Sequence, residues 1–197
     1  MKTRLLLALA VAVSVPLAGC ATTDGASLSP DSSTTAQDAP ALLADFDLTG
    51  MDAREAIEHL DPLGGSERPS ALMASIRADE LLLSADGRET TLDMPTDGFY
   101  VSIAPYVDQT HDCFFHSLTT CQGELAGADL QITVTDDATG QTLIDEQKTT
   151  YDNGFVGLWL PRDMTGTLTV THDGKSVESP ISTNADSATC LTTLKLV

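Results

Sequence analysis

The chain has 197 residues, with 29 Asp and Glu against 10 Lys and Arg, a formal net charge of −19 and a pI near 4.1. That length supports a packed core without staples, and a hydrophobic content of 42% excludes wholesale disorder. The charge excludes a sequence-independent nucleic-acid binder, which needs clustered Lys and Arg to displace counterions, and it equally disfavours docking on anionic lipid by charge.

Met1-Lys-Thr-Arg4 is a basic start, residues 5–15 are a short apolar run, and Leu17-Ala18-Gly19-Cys20 closes it with small residues before a cysteine. A run this short reads as a secretory signal over residues 1–19, not as a membrane span. Its ending resembles the bacterial lipobox, in which cleavage leaves the cysteine, here Cys20, as a lipidated N-terminus. The expected product is exported and meets the membrane through its lipid anchor only, in the periplasm or at the outer face of the cytoplasmic membrane. Cleavage would leave 178 residues (197 less 19), with 8 basic against 29 acidic groups and a net charge of −21. With Cys20 occupied by lipid, three thiols remain: Cys113, Cys121 and Cys190. An odd number in an oxidising compartment means one bridge plus a free thiol, or thiols kept for chemistry.

Residues 20–41 follow as a lipidated cysteine and a flexible tether of Ala, Ser, Thr, Asp, Pro and Gly, in which Leu28 is the only large apolar side chain before Pro40. Twenty such residues reach roughly 25 Å. Residues 42–96 read as a small α/β part. Asp52 and Glu55 have capping-box spacing before a helical stripe of Ala53, Ala56, Ile57 and Leu60, and Asp61-Pro62 stops it. A second helix is expected after Pro69, carrying Leu72, Met73 and Ile76 on one side. Residues 81–83 and 91–94 flank Ala85-Asp86-Gly87-Arg88 as a β-hairpin. Residues 97–197 carry strand signals alone: 99–103, the clean alternation of 130–134, 142–144, 155–160 with Phe155 and Trp159 as core, a hairpin across His172-Asp173-Gly174, and a closing strand from Cys190 to the end. The expected fold class is α+β, a small helical and hairpin N-terminal part followed by an antiparallel β-sandwich-like domain.

Reactive side chains concentrate in His111-Asp112-Cys113-Phe114-Phe115-His116-Ser117-Leu118-Thr119-Thr120-Cys121. Thiolate and imidazole are the ligands that hold monovalent copper or zinc, and Phe114 and Phe115 could keep water from such a site. The gap of eight from Cys113 to Cys121 matches neither a zinc knuckle nor a Cys-x-x-Cys pair. Two readings stay open on spacing alone: a loop aiming these residues at one ion, or a disulfide stapling the loop with both histidines in solvent. Alternation turns Cys190 inward with Leu194 and Leu196, where it acts as a small hydrophobe or meets the loop. His59 reads as solvated and His172 as part of a turn, Met51, Met73 and Met94 as dispersed packing, and the acidic residues lack the order of a calcium loop.

Residues 99–106, 110–125 and 189–196 resemble the signature stretches of the CueP family of periplasmic copper-binding proteins, and the likeness extends from about residue 43 to the C-terminus. The resemblance implies copper resistance and delivery of copper to an extracytoplasmic cuproenzyme. It implies Cys113, Cys121 and Cys190 as the copper ligands, with the ion held as Cu(I) and Cu(II) reducible by the same thiols. His111 and His116 match the block as additional ligand candidates. No nucleic-acid partner is expected, and a homodimer is left open. Against this metallochaperone stand a thiol-dependent Cu(II) reductase and a disulfide-stapled lipoprotein without metal.

Overall fold

A computed structural model describes residues 34–197. The expected signal segment and Cys20 lie outside the described residues, as does most of the expected tether, whose last residues, 34–41, are the start of a helix. That helix is α1 (Thr34–Asp45), followed by α2 (Ala53–Leu60). Asp52 and Glu55 cap α2 reciprocally, each side chain accepting the other's backbone N–H at 2.9 and 3.0 Å, so two orphan donors of the first turn are satisfied.

A three-stranded antiparallel sheet follows, from β1 (Met73–Ile76), β2 (Glu80–Ala85) and β3 (Arg88–Asp93). The segment after Pro69 is therefore a strand where a helix was expected. Leu72, Ala74 and Ile76 are buried and Met73 is 50% exposed, a period of two that four residues cannot distinguish from a helical turn. The β2–β3 hairpin turns at Asp86 and Gly87, both with positive φ (51° and 77°), as the Asp-Gly pair foretells.

The remaining strands are β4 (Phe99–Ile103), β5 (Asp129–Asp136), β6 (Thr142–Thr149), β7 (Val156–Leu160), β8 (Thr165–His172), β9 (Lys175–Ser182) and β10 (Cys190–Leu191). One sheet has the order β6-β5-β8-β9 and is antiparallel; the other has the order β10-β4-β7, with β10 parallel to β4. The architecture is thus α+β with a sandwich-like β part, one sheet mixed rather than wholly antiparallel. The closing strand is also shorter than expected, continuing only as a bridge between Tyr106 and Lys195.

β4 is the wall that both halves share, and its five residues are all buried. Phe99, Val101 and Ile103 face the sandwich core with Leu130, Ile132, Val134, Leu168 and Val170. Tyr100 faces the opposite cluster with Ile57, Leu60, Ile76, Leu81 and Leu83. Trp159, expected in the sandwich core, also lies on this second side, with the Arg54 guanidinium 3.8 Å from its ring centroid. A third, small cluster forms where the faces meet: Ala104, Cys121, Phe155 and Cys190, with Cys113 against it.

Candidate metal centre

The loop of residues 111–121 has no regular structure of its own, so its backbone groups must find partners elsewhere. It finds them on two strands. The free edge of β1 takes one side: Ile76 N–H donates to His116 O at 2.8 Å and Leu118 N–H donates to Ala74 O at 2.9 Å. The start of β10 takes the other: Thr189 and Cys190 N–H both donate to Phe114 O, at 2.9 and 3.1 Å. Thr189 Oγ1 joins the two by accepting from His116 N–H (3.0 Å) and donating to Ile76 O (2.8 Å). The Arg68 guanidinium holds the loop's far end, donating to Cys121 O at 2.6 Å and to Leu63 O at 2.9 Å.

This clamp brings all five sequence-identified residues together. The ligand atoms of His111, Cys113 and Cys121 lie within 4.8 Å of one another, and so do those of His116, Cys121 and Cys190; Cys121 belongs to both groups. All three cysteines are free thiols, with Cys113 Sγ 3.5 Å from Cys121 Sγ. Two ligands about 2.3 Å from a common ion stand at most about 4.6 Å apart, so either group needs little adjustment to take a soft metal. Phe114 and Phe115 do not cover the sulfurs as expected. They are 52% and 39% exposed, packed edge to face on each other, with Arg77 over the Phe115 ring. Phe155, fully buried just before β7, shields the site instead, its ring centroid 4.6 Å from that of His116.

Beneath the sulfurs lies a carboxylate that in the sequence marks only the end of a helix. Asp61, the C-cap of α2, is 0% exposed and accepts from His116 Nε2 (2.7 Å), Tyr100 Oη (2.5 Å) and Ser102 Oγ (3.2 Å). Tyr100 and Ser102 alternate onto one face of β4, which is why one carboxylate meets both. Tyr100 reaches it over Gly157, where an added Cβ would fall 1.7 Å from the phenol oxygen. The Asn153 side chain donates to the Asp61 carbonyl and fixes the backbone as well.

Burial pushes the Asp61 carboxyl up, yet the charge and hydrogen bond of His116, with the two hydroxyls, pull it below the usual range. An ionised carboxylate only accepts, so His116 Nε2 carries a proton and Nδ1 is turned to the sulfurs, 3.7 Å from Cys190 Sγ. A carboxylate on the second nitrogen is how metal-binding histidines are oriented. Burial also lowers His116, but Asp61 and then Cys121 outweigh it and raise its pKa to about 9. Cys121 is held well below a free thiol by hydrogen bonds from Cys113 and Cys190, reinforced by His116, and its sulfur also accepts from the Ser117 N–H at 3.3 Å. Cys113 is pushed up to about 12 by its hydrogen bond to Cys121, and Cys190 is raised by the same two neighbours and by burial. Of the three sulfurs, Cys121 is thus the one whose surroundings most favour the thiolate.

The family model described as periplasmic copper-binding protein CueP matches residues 55–195. A solved structure, the crystal structure of S.CueP, has 42% sequence identity and a TM-score of 0.76, covering 81% of this chain and 97% of that one. No curated protein matches. The matched span takes in every residue of the cluster from Asp61 to Cys190, and the chain belongs to the CueP family of periplasmic copper-binding proteins.

Proposed function

We propose that this protein is an exported copper carrier that holds the ion as Cu(I) through the thiolates of Cys113, Cys121 and Cys190, with His111 and His116 bordering the site. The observation that carries the reading is the convergence of three free sulfurs on Cys121 beside a carboxylate-oriented imidazole. Thiolates prefer the soft monovalent ion, and a buried site shielded by Phe155 favours the lower charge. Phe114 and Phe115, exposed beside Cys113, offer an apolar docking surface to an extracytoplasmic cuproenzyme that would receive the ion. Cys20 supplies the lipid anchor, and incorporation of a fatty-acid label that survives Cys20→Ala would refute that anchor.

Anaerobic competition against a chromophoric Cu(I) chelator tests the site. Each of Cys113→Ser, Cys121→Ser and Cys190→Ser should weaken binding about tenfold or more. Affinity that survives loss of any one thiol rules out the three-thiolate site.

The 3.5 Å approach of Cys113 to Cys121 favours a second reading, reduction of Cu(II) by the same thiols. Joining the Cys113 thiol to the Cys121 thiolate as a disulfide releases two electrons and one proton, enough for two Cu(II) ions to become Cu(I). Supplying Cu(II) in the same titration should consume two thiols per two ions; Cu(I) formation with no thiol loss excludes this chemistry.

A further inference from the structure

The five ligand residues divide by depth. His116 and Cys190 are 0% and 1% exposed, whereas His111 and Cys113 reach solvent. His111 also lines a cleft of about 390 Å³, with Gln122 and Glu124 among its walls. The Glu124 carboxylate is fixed there by the backbone N–H groups of Val107, Asp108 and Gln109, at 2.7, 3.1 and 3.3 Å. The loop is fixed at this point too, since Thr192 Oγ1 donates to His111 O at 2.6 Å. The outer and inner positions therefore differ in ligand chemistry: an imidazole nitrogen with two sulfurs where His111 and Cys113 meet solvent, and the buried sulfur of Cys190 within. Exchanging that nitrogen for sulfur makes the inner position the softer of the two.

We propose that His111, Cys113 and Cys121 form an entrance site for Cu(I), distinct from its final position, and that the ion moves inward by exchanging His111 for Cys190. Cys113 and Cys121 remain bound throughout. The proposal rests on the copper-binding reading and adds an order of events to it. The step is a ligand exchange at constant oxidation state: the bond to the His111 nitrogen breaks, the bond to the Cys190 sulfur forms, and the Cys190 thiol proton passes to solvent. A soft cation gains by trading nitrogen for sulfur, and with two sulfurs retained it is never released to water during the exchange.

The test is anaerobic stopped-flow transfer of Cu(I) from a chromophoric chelator to the reduced full chain, with equilibrium competition against the same chelator. His111→Ala should slow loading about tenfold or more, while weakening equilibrium binding less than Cys190→Ser does. Cys190→Ser should stop the ion at the entrance, where X-ray absorption gives two sulfurs and one imidazole nitrogen. Adding His111→Ala to that variant should remove the nitrogen and weaken binding about tenfold further. An equal effect of His111→Ala on affinity in both backgrounds, or an unaltered loading rate, overturns the entrance site while leaving copper binding intact. A wild-type chain that takes up no Cu(I) overturns both.

Discussion

Removing a carboxylate from water costs several kcal/mol unless donors and a counter-charge replace the lost solvation. Asp61 has all of these from residues 39, 41 and 55 positions away: two hydroxyls and the His116 imidazolium. The two charges stabilise the fold in opposite pH directions. The raised His116 contributes fully below its ordinary 6.5 and loses that contribution as pH rises through about 9. The lowered Asp61 contributes above its ordinary 3.8 and loses that contribution as pH falls through its depressed folded value. Breaking such a buried pair by removing one partner costs about 3–5 kcal/mol. Asp61→Asn in the reduced, metal-free protein should lose about that much in urea unfolding. Its stability should also decline less between pH 6.5 and about 9 than the wild type's does. Equal slopes in the two proteins would place the alkaline titration elsewhere.

Elements whose cause is local were legible in the sequence, and those whose cause is distant were not. The capping box of α2 and the Asp-Gly turns before Arg88 and Lys175 depend on residues two or three apart, and each stands where the pattern puts it. The strand β1 depends on a partner: its outer edge exists to receive His116 and Leu118, forty residues on, and nothing within four residues announces that. Phe114 and Phe115 adjoin the ligands in sequence, yet Phe155 is the ring packed against them, because β7 pairs with β4. Asp61 did leave a readable trace. It stands four residues after Ile57, on the stripe of Ala53, Ile57 and Leu60 that the helix buries, so a carboxylate there required a buried partner. The helix-stopping Pro62 beside it masks that trace. Tyr100 and Ser102, hydroxyls within a strand buried on both faces, were the matching trace on the other side.

At the scale of the whole molecule, the site is the junction between two cores. Its loop is hydrogen-bonded to β1, whose sheet belongs to the N-terminal cluster, and to β10, whose sheet closes the sandwich. Asp61 sits on α2 while Tyr100 and Ser102 sit on β4, so one hydrogen-bond network spans both. An ion held at this junction stabilises only the state in which both cores are formed and docked. At a free ion concentration a hundred times its dissociation constant it adds about 2.7 kcal/mol to that state. Amide exchange should report the consequence. Saturating the reduced protein with Cu(I) should slow the slowest-exchanging amides of β2, such as Leu81 and Leu83, as well as those of β7, such as Val156 and Leu158. These strands lie on opposite sides of the junction and share no ladder. If the sandwich unfolded independently of the N-terminal cluster, the β7 amides would slow and the β2 amides would not. Protection confined to β7 would therefore show that the clamp on β1 is too weak to couple the halves. Equal protection would mean that the two cores open together, with the metal site as their shared fastening.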